Sequence, residues 1–395
     1  MPKPKIYFHT SYIGNGGYNN HAQNLAHELY KLAPLKIRNF SISPKTWEGM
    51  NDEPHNGETY LTDVDKKLLI NQALWSGQDS NKKLLDHPMY TKYPNEFDHN
   101  VNIILNECNH HFYHSLYDGP KIGYLVWEST RMDENFFKLW NTFDQLWVAS
   151  KWQRECAIEQ GADPKKVKVV PEAVDGNLFK PDPKVKLPDF DDGRFKFMHF
   201  GRWDYRKSTK ELVEAFLDEF SPEEEVDLIL SIDNFYAKDG LKNTEERLKK
   251  YGLDDPRLKI LHFPSREDYV KYLQSGDVFL SCARSEGWNL PLIEAMACGT
   301  PSIYSNCSGQ LEFAEGLGLP VKISHMEPAQ RGEYSSFHRH LIRGEFYEPD
   351  FKDLRRVMRD AYENYDKHKK RALKESEIIR TKFTWANAAK IAHDT

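Results

Sequence analysis

Two carboxylates bracket a predicted loop-to-helix junction in the run Glu286-Gly287-Trp288-Asn289-Leu290-Pro291-Leu292-Ile293-Glu294, which continues as Ala295-Met296-Ala297-Cys298-Gly299. An apolar strand is predicted just before it, at residues 277–281. Pro291 suits the first turn of a helix, where its missing amide proton is not needed. A helix beginning there directs unpaired backbone amides at the loop, and such amides attract phosphate. Glu294 is the only charge between Leu292 and Cys298, so its helix is expected to be buried on most sides and the carboxylate to need a partner. Two readings fit Glu294. It accepts local hydrogen bonds or faces water, or it accepts both hydroxyls of a ligand's vicinal diol, such as a ribose.

A second constellation follows the predicted strand at residues 195–200: Gly201-Arg202-Trp203-Asp204-Tyr205-Arg206-Lys207. Arg202 and Lys207 can converge on a diphosphate from two sides and stabilise it as a leaving group. The alternative is a surface ion-pair network with Asp204. Nearer the start, Gly14-Asn15-Gly16-Gly17-Tyr18 lies between a first strand and a helix. Gly16 and Gly17 permit close backbone approach to a phosphate or sugar, or simply a tight turn, and the spacing is not that of a dinucleotide fingerprint. His110, His111 and His114, with Glu107 and Cys108 nearby, lack the helical His-Glu-x-x-His arrangement and a distal thiolate pair, so no metal is expected. Glu128 stands just past the carboxyl end of a predicted strand, where doubly wound domains put ligand-facing residues; capping a helix around residues 131–139 is the competing role.

The elements that must position these groups alternate along the chain. Strands are predicted at 6–8, 35–40, 101–106, 121–127, 145–149 and 167–170, with helices at 19–31 and 151–160. After a Pro-, Asp- and Lys-rich connector at 180–193 the alternation restarts. A strand at 195–200 and a helix at 209–220 lead to strands at 226–232, 258–263, 278–281, 301–304 and 319–323. The predicted fold class is α/β: two doubly wound Rossmann-like domains facing across a cleft. Residues 43–99 and 324–343 read as polar, irregular insertions.

Composition narrows the function. A chain of 395 residues exceeds what one core usually organises, and 13% aromatic residues leave enough apolar mass for two. A net charge of -6 offers no global attraction to nucleic acid or an anionic membrane. Five cysteines, an odd number without a Cys-x-x-Cys pair, argue against a disulfide framework and a thiolate zinc site. No secretory leader and no membrane-spanning run is read, so cytoplasmic residence is expected, and the basic stretch Lys367-His368-Lys369-Lys370-Arg371 is taken as a solvated helix face.

Together these residues closely resemble the retaining GT-B glycosyltransferases, particularly glycosyltransferase family 4, over nearly the whole chain and most strongly across residues 197–315. Glu286 and Glu294 look like that family's Glu-x7-Glu element, Arg202 and Lys207 its donor-diphosphate cations, and Gly16-Gly17 its first-domain glycine loop. Ser308-Gly309-Gln310-Leu311-Glu312 resembles a segment after the donor site, and Phe383-Thr384-Trp385 the start of a terminal helix. Asn289, Ser308 and Ser208 stand where relatives carry glycine, and Trp127-Glu128 where many carry a histidine near the sugar.

The resemblance implies an acceptor-side domain at 1–183, a nucleotide-sugar domain at 184–375, and a helix at 376–395 crossing back to the first. It gives Arg202, Lys207 and Glu286 the catalytic roles and Glu294 the ribose. The amides around Trp288, Asn289 and Leu290 would hold hydroxyls or phosphate. The implied reaction moves a hexose from a UDP- or GDP-sugar to a glycan or other hydroxyl acceptor with retention, using no metal or other cofactor. A nucleotide-sugar-binding protein without catalysis, a nucleotide-sugar epimerase and a phosphorylase are the alternatives.

Overall fold

The computed structural model describes residues 5–10, 12, 17–39, 100–105, 119–185, 187, 190, 192–234, 240–241, 243–263, 265–329 and 342–395. Gly16, the segment 43–99 and the group Glu107, Cys108, His110, His111 and His114 lie outside the described residues. Two compact units emerge. The first comprises Met1–Val126, Glu134–Ala173 and Trp385–Thr395, and the second Trp127–Asp133 and Val174–Thr384.

In the first unit six strands form one parallel sheet: β1 (Lys5–Thr10), β2 (Leu35–Asn39), β3 (Asn100–Leu105), β4 (Lys121–Leu125), β6 (Gln145–Val148) and β7 (Val167–Val169). Their order is β2-β1-β3-β4-β6-β7. Strands such as Ile6-Tyr7-Phe8 and Ile103-Ile104-Leu105 are apolar on consecutive residues because helices cover both faces of a parallel sheet. The helix Gly17–Leu32 buries Ala22, Leu25, Ala26 and Leu29, an i, i+3, i+4, i+7 stripe. The final helix, Trp385–Asp394, packs on it, with the Trp385 ring 5.4 Å from His21. His21 is fully buried and meets Glu172 at 3.1 Å, a pair that offsets part of the cost of burying both groups.

The second unit repeats the plan with β8 (Phe195–Phe200), β9 (Val226–Ser231), β10 (Leu258–Ile260), β11 (Val278–Ser281), β12 (Ser302–Ser305) and β13 (Leu319–Val321). The order is β10-β9-β8-β11-β12-β13, again all parallel. Successive strands are laid down to one side of β8 and then, from β11, to the other. The reversal opens a crevice beyond the carboxyl ends of β8 and β11, where doubly wound sheets bind ligands. The Gly201–Lys207 and Glu286–Glu294 runs both begin there.

The core under this sheet joins Phe197, Leu228, Leu230, Val278, Leu280 and Ile303 to Leu212, Val213 and Phe216 of the helix Thr209–Glu219. A later helix, Phe351–Glu363, adds Leu354, Val357, Met358 and Ala361, the same helical stripe. Each such large side chain contributes about 1.5–3 kcal/mol of burial. Two small antiparallel pairings complete the unit: β14 (Ile323–Pro328) with β16 (Glu345–Pro349), and β5 (Arg131–Met132) with β15 (Ile342–Arg343). Both ends of the 324–343 insertion are thus strand, not the irregular stretch read from their polarity.

A histidine is among the buried polar residues of the central strands. His199 of β8 is buried and its Nδ1 lies 2.9 Å from the Leu280 carbonyl of β11, which makes that nitrogen the donor. Burial, reinforced by the nearby Lys207 charge, pushes its pKa down to about 4. The unfolded imidazole titrates near the ordinary value of about 6.5. Between those two values the unfolded chain binds a proton that the folded chain refuses, so stability falls as pH drops through that window, by about 3 kcal/mol in all. We therefore expect the stability advantage of wild type over His199→Gln, measured by urea unfolding, to shrink by about that amount between pH 7 and pH 4. An advantage that stays constant across the window contradicts a buried neutral imidazole.

Candidate functional site

Beyond β8 the chain makes a single 3-10 turn, Tyr205–Lys207, whose start is capped by Asp204 accepting from the Arg206 amide at 2.9 Å. Asp204 is buried, and its carboxylate caps this turn. The tight turn sets Arg206 and Lys207 side by side and sends both inward. Lys207 donates through Nζ to Oε1 of Glu286, while Arg206 Nη1 lies 2.9 Å from Oε2 of the same carboxylate. Arg206 Nη1 also donates to the Ser285 carbonyl at 2.7 Å, and its Nη2 lies 3.0 Å from Oε1 of Glu128.

The electrostatics follow from that geometry. Burial drives the Glu286 pKa upward, but Arg206 and Lys207 together outweigh it and hold the carboxyl below its usual range. Lys207 moves the other way: burial, and the neighbouring Arg206 charge, lower it despite Glu286. For Arg206 the opposing order holds, since Glu128 and Glu286 overcome burial and keep the guanidinium charged.

A second buried arginine fixes the scaffold around this pair. The Arg284 amide donates to the Arg206 carbonyl at 2.7 Å, and its side chain reaches Glu327 at 3.1 Å, Glu348 at 3.1 Å and Glu211 at 3.3 Å. Its guanidinium stacks over the Tyr205 ring at 3.7 Å and donates to Ser208 Oγ at 3.1 Å. One planar fork thus ties the 205–208 turn to the loop after β11 and to both strands of the β14–β16 ribbon.

Among the described residues, the non-glycine positions with left-handed backbone are Ser208 (φ 51°), Asn289 (φ 91°) and Ser308 (φ 59°). These are the three positions that the family resemblance marks as glycine in relatives. Each side chain uses its place. Ser208 accepts from Arg284, Ser308 Oγ accepts from the Glu286 amide at 3.0 Å, and Asn289 Nδ2 donates to Ser281 Oγ at 2.8 Å and Gln310 Oε1 at 2.7 Å. The adjoining Gly309 has no room for a side chain, because a Cβ there would lie 2.0 Å from the Gly287 carbonyl oxygen.

The helix Leu290–Ala297 begins as predicted with Pro291 in its first turn, but its amides are largely spent. Pro291 has no N–H, Leu292 donates to Asn289 Oδ1 at 3.4 Å and Ile293 to the Asn289 carbonyl at 3.3 Å. The Leu290 amide remains as the first-turn donor outside this cap. Trp288 is buried against Phe313 and Phe383, with ring centroids 5.1 and 6.1 Å away, so its side chain belongs to the core and only its backbone can face a ligand.

Glu294 is buried on the same helix, and both of its oxygens have partners on the helix Arg266–Ser275. Tyr269 donates to Oε2 at 2.8 Å, and Arg266 Nη2 lies 3.4 Å from Oε1. Burial and the Glu294 charge push the Tyr269 hydroxyl well above its ordinary value, so it stays a donor. Each carboxylate oxygen accepts more than one hydrogen bond, so these partners orient the group and leave capacity for a diol.

Lys207, Glu286, Asn289, Leu290 and Glu294 therefore share the loops and helix that follow β8 and β11. Arg202 is half-buried, accepts a 2.8 Å bond from Thr209 through its carbonyl, and its charge is felt by Glu128. The central cation, Arg206, is the residue that sequence reasoning missed; the signal was the Asp204-x-Arg206 spacing, in which a capping Asp starts a tight turn. Glu128 faces Arg206 rather than capping the helix Glu134–Trp140. Gly17 opens the first unit's helix Gly17–Leu32. Among the described residues, no three His, Cys, Asp or Glu side chains gather as a metal site.

Residues 184–316 match the family model described as Glycosyl transferases group 1. The chain is 29% identical over 159 residues to the serotype-specific mannosyltransferase WbdA of Escherichia coli, covering 40% of this chain and 16% of that protein. It is 26% identical over 177 residues to the mannosylfructose-phosphate synthase of Agrobacterium fabrum, covering 42% of this chain and 38% of that protein. The matches thus span at most 41% of the length of the curated relatives. Among solved structures, HepE of Anabaena in complex with UDP and glucose superposes with a TM-score of 0.71 at 17% identity, covering 99% of this chain and 98% of that one. Sucrose-phosphate synthase from Thermosynechococcus elongatus gives 0.67 at 18% identity over the same shares. The chain has the GT-B fold, and residues 184–316, within its second unit, are similar to the glycosyl transferases group 1 family.

Proposed function

We propose that this protein is a nucleotide-sugar-dependent hexosyltransferase that moves a hexose from a UDP- or GDP-sugar to a hydroxyl of a glycan or other acceptor, retaining the anomeric configuration. The observation that carries this reading is the buried Arg206–Glu286–Lys207 cluster beyond the carboxyl ends of β8 and β11. The group 1 family match over the same residues supports it. UDP-sugars are the first donors to test, since HepE, which shares the fold, was solved with UDP and glucose.

In this reading Arg202 and Lys207, with Arg206 beside them, face the donor's diphosphate. As the bond from the anomeric carbon to the phosphate oxygen breaks, the diphosphate gains charge, and fixed cations in a dry site stabilise that change more than they stabilise the bound donor. The Leu290 amide at the helix start adds a neutral donor. The departing phosphate oxygen is the group that takes the proton of the incoming hydroxyl. Glu286 is poorly suited to nucleophilic or basic chemistry because Arg206 and Lys207 engage both of its oxygens and lower its basicity. Its fixed negative charge is suited to orienting sugar hydroxyls and to facing positive charge that develops at the anomeric carbon. Glu294 takes the ribose hydroxyls beside Tyr269 and Arg266. Catalysis by cations and amides alone requires no metal, and a donor of this kind agrees with residence in the cytoplasm.

Incubation with UDP- and GDP-hexoses, with and without candidate glycans, followed by mass detection of released nucleotide, tests the assignment. Acceptor-dependent release is expected; tight donor binding with no release across a broad acceptor panel would favour a binding protein without catalysis. Arg202→Ala and Lys207→Ala should each lower transfer by about a hundredfold, Arg202→Ala with little change in unfolding midpoint and Lys207→Ala with a further loss of about 3–5 kcal/mol of stability from the buried cluster, and unchanged turnover in both removes the diphosphate role. Glu294→Ala should weaken donor affinity by about tenfold, whereas Glu286→Gln should act mainly on kcat, so equal effects of the two on Kd contradict the division. Gly309→Ala should cost about 2–4 kcal/mol and nearly all turnover, because its methyl group forces the Gly287 backbone out of place. Near-normal activity in that variant would show that the 286–289 loop is not held as described.

A further inference from the structure

Glu128 is unlike the charges it touches. Arg206, Lys207 and Glu286 have side chains no more than 15% exposed, whereas that of Glu128 is 38% exposed. Its Oε1 faces Arg206, and its Oε2 has no partner among the described residues. The segment that carries it is firmly built. Trp127 Nε1 donates to Ser129 Oγ at 2.8 Å, and the buried Ser129 hydroxyl donates to the Arg131 carbonyl at 2.9 Å. Two residues further on, the segment pairs as β5 with β15; Thr130 Oγ1 accepts from the Glu345 amide at 2.8 Å and Asp133 meets Arg343 at 2.9 Å. A carboxylate on such a support is aimed rather than left to wander.

A second argument is one of sign. Arg206 is shared by two carboxylates, and the one on the rim adds negative charge beside cations that are to meet a diphosphate. That charge opposes anion binding, so its use lies with the uncharged part of the ligand. A carboxylate oxygen is a strong acceptor for a hydroxyl, and sugars offer hydroxyls in quantity. Burial of the surroundings and the nearby Glu286 charge raise the Glu128 carboxyl above its ordinary range, against the pull of Arg206, Lys207 and Arg202, which strengthens it as an acceptor.

We propose that Glu128 is a specificity-determining residue that receives a sugar hydroxyl on Oε2, with Arg206 holding it in place; this rests on reading the site as one for nucleotide sugars. The hydroxyl belongs to the hexose of the donor or to the acceptor, and the assay separates the two.

The test compares wild type, Glu128→Ala and the isosteric Glu128→Gln as full chains. Binding of UDP and GDP is measured by calorimetry, and turnover with the UDP- or GDP-hexose that wild type uses, beginning with UDP-glucose. Loss of the opposing charge should leave nucleoside diphosphate affinity unchanged or severalfold tighter, while kcat/KM for transfer falls at least about tenfold in Glu128→Ala and less in Glu128→Gln, which keeps an acceptor oxygen. A loss shared by acceptor-free hydrolysis assigns the hydroxyl to the donor, and a rise confined to acceptor KM assigns it to the acceptor. If free UDP or GDP weakens as much as turnover falls, Glu128 only buttresses Arg206 and the proposal is overturned; unchanged turnover in both variants overturns it as well. Failure of wild type to bind either nucleotide would remove the nucleotide site itself, an outcome distinguishable from failure of Glu128 alone.

Discussion

One buried carboxylate between two cations organises the second unit. Glu286 comes from the loop after β11, whereas Arg206 and Lys207 come from the turn after β8, so their ion pairs close the two loops over the point where strand order reverses. Burying three charges is tolerable only because each has a partner; removing one member of such a set costs about 3–5 kcal/mol. Neither loop has much freedom to take another shape while this cluster is intact. The same burial weakens screening by water, so the cluster's field acts at close to full strength on a group placed beside it.

Arg284 extends that constraint outward. It collects Glu211, Glu327 and Glu348 around one guanidinium, an excess of negative charge that would be costly if the arginine were less thoroughly engaged. Burial raises the Glu348 carboxyl despite Arg284, and the Glu327 and Glu211 charges add to that rise. Through Arg284 the β14–β16 ribbon and the 205–208 turn become one structure, and through β15 the ribbon also holds the segment bearing Glu128. The ribbon's role is thus to support the site.

Much of the sheet plan was legible because parallel strands covered on both faces read as unbroken apolar runs, and β8 and β11 lie at the residues predicted for them. The ribbon was not legible: Ser324, His325 and Met326 are exposed in succession, so β14 lacks the alternation that marks a strand. The division of cationic labour was also hidden. Arg202, Arg206 and Lys207 are equally basic as letters, and which one sits between two glutamates depends on a single 3-10 turn and on partners some eighty positions away. Pairing at that sequence distance leaves no local periodicity to read. Glu294 was read as a charge in need of a partner, and the partners themselves, Tyr269 and Arg266, come from a separate helix.

The three left-handed residues show how the loops gain rigidity beyond what glycine gives. Glycine enters this region without steric cost but brings no side chain and much unfolded-state freedom. A non-glycine residue there costs about 1–2 kcal/mol, less for asparagine, and persists only where the surroundings fix it. Ser208, Asn289 and Ser308 are each fixed by a side-chain hydrogen bond to another part of the site, and bonds to charged groups such as Arg284 contribute about 1.5–3 kcal/mol. The exchange of glycine freedom for these bonds leaves the loops committed to one geometry. For a site whose cations are already paired with Glu128 and Glu286, that commitment matters: with Arg202, Arg206 and Lys207 set against those two carboxylates and Asp204, the local charges balance. An anionic ligand therefore gains little from net attraction, and its recognition depends on the direction of each donor, which a fixed loop supplies.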